Sequence, residues 1–295
     1  MKLPYPRIHV VINPASGQNQ PILSVLNDVF HAARVKWDVS ITHQAGDAAR
    51  LAKEAAASGV DLVAAYGGDG TQMEVANGLL GTGVPLAILP GGTGNAMAHE
   101  LDVPLHLKGA AQLIVSSRKR RCIDLARMGD KVVMLRLYTG LPAGEAASRE
   151  KKDKYGQLAY IQASLKFLTH ITPAHYCARV DGEVIKVKAL ICFILNAGSI
   201  GGVLGISLPP IGDMNVSDGY LDLYAVTQGI QPLRALSQHL FHIGESQAGI
   251  YHWRGKEITL EADTPQDVWI DGEIDGKTPL TINVIPQALQ IVVPG

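Results

Sequence analysis

Val60-Asp61-Leu62-Val63-Ala64-Ala65-Tyr66-Gly67-Gly68-Asp69-Gly70-Thr71 is an apolar run that stops abruptly in three glycines and one carboxylate, and a helix-like stretch from Gln72 to Leu80 follows it. Glycines at such an elbow remove the Cβ atoms that would hold a phosphate chain away from backbone N–H groups. The helix start adds unpaired N–H groups and the positive end of its dipole. Asp69 suits either the metal that accompanies a nucleoside triphosphate or a ribose hydroxyl. Taken alone, the stretch is equally a strand–turn–helix elbow with a glycine turn.

Reading outward from it, Ile8 to Ile12 is a short run rich in β-branched residues, as in a strand buried on both faces. It enters the turn-rich loop Asn13-Pro14-Ala15-Ser16-Gly17. Ile22, Leu23, Leu26, Val29, Phe30 and Ala33 then repeat at helical spacing. Trp37 to Thr42 reads as a second strand, Asp47 to Ala57 as a second helix, Val60 to Tyr66 as a third strand and Leu86 to Leu89 as a fourth. Strands alternating with helices predict a parallel sheet covered on both faces, with ligands beyond the carboxyl ends of the strands. A second elbow, Pro90-Gly91-Gly92-Thr93-Gly94-Asn95, falls at that same end. Two such elbows together favour a phosphate site over plain turns.

Other signatures are missing. There is no G-x-x-x-x-G-K-[ST] and no G-x-G-x-x-G. Gly244 to Ala248 misses the G-x-S-x-G nucleophile elbow at its last position, and His99-Glu100 has no second histidine at zincin spacing. The 295 residues suggest about two domains. With 26 basic against 27 acidic residues, nothing global points to nucleic acid. Cys122, Cys177 and Cys192 are odd in number and widely spaced, against both a disulfide framework and a zinc site. The start is no signal peptide, and the longest apolar stretch, Ala189 to Leu195, is far short of the ~20 residues that span a bilayer. A cytoplasmic protein without a transmembrane segment is expected.

A helix is predicted from about Lys108 to Ser117, after which the pattern changes. Cys122 to Met128 and Val132 to Tyr138 predict a hairpin around Gly129-Asp130. Strand candidates follow at Ala189–Leu195, Tyr220–Val226, Glu257–Glu261, Val268–Asp271, Leu280–Ile285 and Leu289–Val293, the spacing of an all-β sandwich or barrel. Two helices interrupt them, one carrying Leu158, Ile161, Leu165 and Leu168, the other running from about Gln231 to Phe241. Arg149, Lys151, Lys152 and Lys154 fit a solvated linker or, less well, a lipid-attracting loop. Ser199 to Gly212 is a packed core loop or a flexible apolar entrance. Trp269-Ile270-Asp271-Gly272-Glu273 ends a strand in two carboxylates astride a glycine, which a polar hairpin turn would also explain.

Together these motifs resemble the diacylglycerol kinase catalytic family, which includes bacterial lipid kinases and sphingosine kinases and is related to NAD kinases and phosphofructokinases. The resemblance covers nearly the whole chain. It rests on Asn13 to Gly17; on Gly67 to Thr71 with Glu74-Val75-Ala76-Asn77-Gly78; on Pro90 to Asn95; on Asp218-Gly219-Tyr220-Leu221-Asp222; and on Val268 to Glu273, Thr278-Pro279 and Val292-Val293-Pro294. It implies an α/β nucleotide domain over 1–122 and a β-sandwich lipid-binding domain over 123–295. The last C-terminal segment is a candidate to return to the first domain.

It further implies ATP and Mg2+ as cofactors, with the active site between the domains. Asn13, Gly17, Thr42, Gly67, Gly68, Asp69, Gly70, Thr71, Gln72, Met73, Gly92, Thr93 and Asn95 would hold the nucleotide. Glu273, as proton acceptor, and Asp69 would be catalytic. Asp218, with carbonyls of Asn215 and Tyr220, would form a magnesium site, and Asp124 would order the catalytic magnesium through water. The acceptor would be a lipid hydroxyl met at the membrane surface by transient peripheral docking, and a homodimer is compatible with the sequence. The chain departs from the family pattern at Gln18 and Asn19, where many members carry a lysine after the glycine. It departs again at Asn95-Ala96-Met97-Ala98-His99, which lacks the carboxylate and arginine of bacterial diacylglycerol kinases and is closer to sphingosine kinases. A sphingoid-base or NAD kinase, or a silent nucleotide- or lipid-binding module, are the other readings.

Overall fold

The computed structural model describes residues 3–16, 20–141, 171–197, 215–227, 249–271 and 273–295. The expected helices around Leu158 to Leu168 and Gln231 to Phe241, the basic loop 149–154, the 199–212 stretch, Gly17 and Gly272 lie outside the described residues. The chain divides into two compact units. One comprises Met1–Leu125, Val216–Asp218 and Ile285–Gly295; the other comprises Ala126–Asn215 and Gly219–Val284.

The first unit is α/β. Its strands are β1 (Arg7–Ile12), β2 (Lys36–Ile41), β3 (Leu62–Gly67) and β4 (Leu86–Pro90), and its helices α1 (Ile22–Ala32), α2 (Asp47–Ala57) and α3 (Asp69–Leu79). The strands pair in parallel in the order β2-β1-β3-β4, so their carboxyl ends and both elbows share one edge. All six residues of β3 are buried, as its unbroken apolar run requires. Short α4 (Ala96–Glu100) and longer α5 (Leu107–Ser116) follow. Helix α3 starts at Asp69, three residues before the expected Gln72. Gly68 adopts an extended N-cap conformation, so Asp69, Gly70 and Thr71 belong to the first turn rather than to a loop before it.

The second unit is an antiparallel β-sandwich. One sheet runs β12 (Ile250–Gly255), β11 (Leu221–Val226), β10 (Ile191–Leu195), β7 (Arg136–Thr139), β14 (Asp267–Ile270), β15 (Glu273–Lys277). The other pairs β9 (Glu183–Ala189), β8 (Ala174–Val180), β13 (Glu257–Ala262) and the first part of β16 (Leu280–Val292). The expected hairpin around Gly129-Asp130 forms between β5 (Arg120–Met128) and β6 (Lys131–Val133). Its second arm ends there: the chain bends at Met134 and Leu135, and β7 joins the other sheet. Two expected C-terminal strands are one, β16, bent at Gln287, whose φ is +50°. The last residues of β16 belong to the first unit, where Ile291 pairs in parallel with Leu86. Among the described residues no helix is long and apolar enough to cross a membrane.

Candidate active site

The two elbows at the edge of the parallel sheet are built against each other. A Cβ on Gly92 would lie 2.6 Å from the Cα of Gly68, and one on Gly67 would lie 2.5 Å from the Cβ of Thr71. Gly92 is there because backbone packs on backbone, and Gly67 because the Thr71 side chain packs on its backbone, each closer than a Cβ allows. A Cβ on Gly70, by contrast, would meet nothing within 4 Å. Gly70 is exposed and opens the first turn of α3 to whatever approaches it.

Asp69 joins the elbows. Its Oδ1 accepts the Met97 N–H at 3.4 Å, at the start of α4. In the second elbow Asn95, in the left-handed region at φ +46°, accepts the Gly92 N–H at 3.0 Å and donates Nδ2 to the Gly92 carbonyl at 2.7 Å. Thr93, between them, is exposed, and Met73 is half-buried on α3. The first bond within α3 is Gln72 N–H to the Gly68 carbonyl, so the amides ahead of it have no acceptor within the helix. Gln72 is fully buried behind them. Its Nε2 donates to the Gly67 carbonyl at 3.4 Å, and its Oε1 makes no hydrogen bond.

Asn13 ties the first loop to this turn. Its Nδ2 donates to Thr71 Oγ1 at 3.0 Å, and its Oδ1 accepts the Ala15 N–H at 3.0 Å. The turn that Asn-Pro starts and the contact to the central motif are therefore two ends of one side chain. Thr42 is buried at the end of β2, its N–H on the Ile12 carbonyl. Just beyond it, Asp47 Oδ2 accepts the N–H groups of His43 and Gln44. The His43 N–H, and after it the Arg50 guanidinium, hold the Asp47 carboxyl below its ordinary pKa. Glu74, from the Glu74 to Gly78 motif, accepts the N–H groups of Gly46 and Ala48 at 3.0 and 3.2 Å and so caps α2. Its part is to brace the scaffold.

Asp124 is buried on β5. Its Oδ1 accepts the Gln287 N–H at 2.7 Å, fastening the bend in β16, while its own N–H donates to the Val216 carbonyl at 2.6 Å. Ser217 is stapled alongside, accepting from Arg121 Nε and donating to the Cys122 carbonyl. Asp218 follows it in the same segment, with Asn215 before and Tyr220 after. One carboxylate and two backbone carbonyls are hard oxygen donors, the type that suits magnesium. Among the described residues no cluster of three or more His, Cys, Asp or Glu side chains forms.

In the second unit, Glu273 begins β15 and pairs with Ile270 of β14 across a two-residue link. Asp271, the first residue of that link, was not among the expected site residues. It has φ +46°, accepts the Arg136 N–H at 2.8 Å through Oδ1, and leaves Oδ2 buried without a hydrogen bond. Burial pushes its pKa up to about 6, against the opposing pull of Arg136, through its N–H and its charge, and then of the Met134 and Leu135 N–H groups.

Residues 7–128 match the family described as diacylglycerol kinase catalytic domain, and residues 136–293 match the YegS C-terminal NAD kinase beta sandwich-like domain. The chain is 31% identical over 252 residues to "Putative lipid kinase SH2167" of Staphylococcus haemolyticus, covering 82% of this chain and 80% of that one. The chain belongs to the diacylglycerol kinase catalytic family. A Synechocystis protein, sll0036, is 28% identical over 306 residues, 97% of this chain and 70% of its own. The crystal structure of a diacylglycerol kinase from Bacillus anthracis superposes with a TM-score of 0.80 at 28% identity, covering 98% of both chains. The α/β unit and the antiparallel sandwich are thus the two domains of a lipid-kinase family member, and the protein is a kinase.

Proposed function

We propose that this kinase transfers the γ-phosphate of ATP, with Mg2+, to the hydroxyl of a diacylglycerol-type lipid. The observation that carries the reading is the Gly68–Gly92 contact, which sets two N–H-bearing elbows side by side with Asp69 bonded across them. Phosphoryl transfer runs through a loose transition state, so a kinase mainly positions its reactants and offsets phosphate charge. The first-turn amides of α3 and the Gly92-Thr93-Gly94 backbone would bind phosphate oxygens. Asn13 would keep Thr71 turned correctly, and Thr42 would border the nucleotide.

Magnesium, when bound, neutralises charge shared between the transferred and remaining phosphates. Asp69 and Asp124 would orient it, and Asn215, Asp218 and Tyr220 would hold a second ion. Glu273 would accept the lipid hydroxyl's proton, which becomes acidic only late in the transfer, so an ordinary carboxylate suffices. The lipid would be met during transient docking at the membrane surface.

The test is transfer of labelled γ-phosphate from MgATP to a panel of diacylglycerol, monoacylglycerol, sphingoid base, phosphatidylglycerol and NAD. Label in diacylglycerol or monoacylglycerol and none in NAD is the expected result. Label in NAD alone would overturn the lipid reading. Label in sphingoid base alone would move the acceptor, and intact ATP binding with no label would indicate a silent module.

A further inference from the structure

The link ahead of Glu273 is fastened by a carboxylate at an energetically unfavourable position. Asp271 sits in the left-handed region that non-glycine residues rarely adopt, though Asp and Asn tolerate it best. Its N–H donates to the Arg136 carbonyl at 3.0 Å, and its Oδ1 accepts the Arg136 N–H at 2.8 Å, so both ends of Asp271 grip one residue of β7. Arg136 is itself held. The preceding bend receives Asn196 Nδ2 on the Met134 carbonyl at 2.8 Å, and the N–H groups of Asn196 and Ala197 on the Leu135 carbonyl at 2.9 and 3.0 Å. A simple polar turn would put its carboxylate in water. Here one oxygen is buried and completes no hydrogen bond, with the Met134 and Leu135 N–H groups acting on the carboxylate from the bend.

We infer that Asp271 is a positioning residue for phosphoryl transfer: its ionised carboxylate clamps the β14–β15 link to Arg136 and so fixes where Glu273 begins. The inference rests on Glu273 being the proton acceptor. A carboxylate receives an N–H more strongly than a neutral carboxyl does, so protonating Asp271, though it favours the fold as a whole by relieving a buried charge, loosens its bond to Arg136. The raised pKa of Asp271, at about 6, places that loosening just below neutrality. Among the described residues, the charged groups of the flanking strands that pair do so away from Asp271, apart from Arg136 in the clamp. Arg136 is the cation from β7, Asp275 on β15 pairs with Lys131, and Asp267 on β14 pairs with Lys277. Glu273 is one pair away on β15.

Asp271→Asn is a stand-in for the protonated state, since its amide oxygen still accepts from Arg136 and asparagine tolerates the same backbone. The ratio of wild-type to D271N kcat for lipid phosphorylation should be about 10 at pH 8 and fall to about 2 at pH 5, with KM for MgATP unchanged at both. Asp271→Ala, which loses the bond altogether, should stay at least about 10-fold down at both pH values. A ratio that is the same at pH 5 and pH 8, or a change confined to KM for MgATP, would overturn the inference. The Arg136 amide-proton resonance reads the bond without activity: it should lie downfield in wild type at pH 8, shift upfield in D271N at pH 8, and nearly coincide in the two proteins at pH 5. An identical resonance in both at pH 8 would also overturn it. A wild-type enzyme that binds MgATP but labels no lipid, while the Arg136 resonance behaves as expected, would count against the kinase reading and leave the clamp standing.

Discussion

The nucleotide elbows and the Glu273 link are built by opposite means. At the elbows, backbone packs on backbone, and three polar side chains close pairwise: Asn13 on Thr71, Asn95 on Gly92, Asp69 on Met97, while the neutral Gln72 Oε1 is left buried without a bond. At the link, one buried carboxylate does the fastening and keeps an unpartnered oxygen. The first design tolerates almost no added volume. The second responds to charge. The same distinction separates the two halves of the proposed chemistry, which needs a fixed cradle for phosphate and a titratable arrangement for the proton.

The sharpest way to break the comparison is at the glycines. Gly92→Ala pushes a methyl to 2.6 Å from the Gly68 backbone, so the elbows must separate. Overpacking of this kind costs about 1–3 kcal/mol, and MgATP affinity by calorimetry should fall at least about 100-fold. Gly70→Ala adds a methyl to open space. It should leave the urea midpoint unchanged or raise stability by up to about 1 kcal/mol, because alanine is the better helix former. It should still weaken MgATP binding, since the new methyl stands where phosphate would lie. Equal loss of stability in both variants would contradict the packing account.

Charge is the handle on the other side. The folded Asp271 pKa of about 6 exceeds its ordinary 3.8. Between those values the folded protein holds a proton that the unfolded chain has lost. Stability therefore falls as pH rises from about 4 to about 6, and the penalty, up to about 3 kcal/mol, is fully present above that range. Chemical denaturation at pH 5 and pH 8 should show D271N more stable than wild type at pH 8, with the difference shrinking at pH 5. A gain in stability joined to a loss in kcat is what a strained functional residue predicts.

Smaller effects sharpen the contrast. Asn13→Ala removes both the turn bond and the Thr71 contact and should cost about 1–2 kcal/mol with a several-fold rise in KM for MgATP. Glu74→Ala removes the α2 cap and should cost about 1 kcal/mol, read as a lower urea midpoint, with kcat unchanged.

The parallel sheet was legible because strands buried on both faces leave unbroken apolar runs, as in Leu62 to Tyr66, and α1 and α2 show their stripes. The start of α3 was obscured because glycine carries no helical signal, although Gly68 caps and Gly70 is helical. In the sandwich, β8 and β9 were missed despite a readable cue. Asp181-Gly182 lies between alternating runs, and Val180 pairs with Glu183 across it, the two-residue hairpin that Asp-Gly favours. β16 read as two strands, Leu280–Ile285 and Leu289–Val293. The bend at Gln287 is pinned by Asp124, a contact no local pattern could reveal. Among candidate site residues, the glycines and Asp69 could be found by motif. The second role of Asn13, the capping by Glu74 and the burial of Asp271 depend on partners distant in sequence.

The central claim is that nucleotide and proton are handled by separate parts of the chain, and Glu273→Gln tests it most directly. MgATP binding and labelled phosphate transfer to diacylglycerol should be measured on the same preparation. The account predicts MgATP affinity within about twofold of wild type and transfer reduced by at least about 100-fold, the scale of a lost general base. Full transfer activity in Glu273→Gln would contradict it.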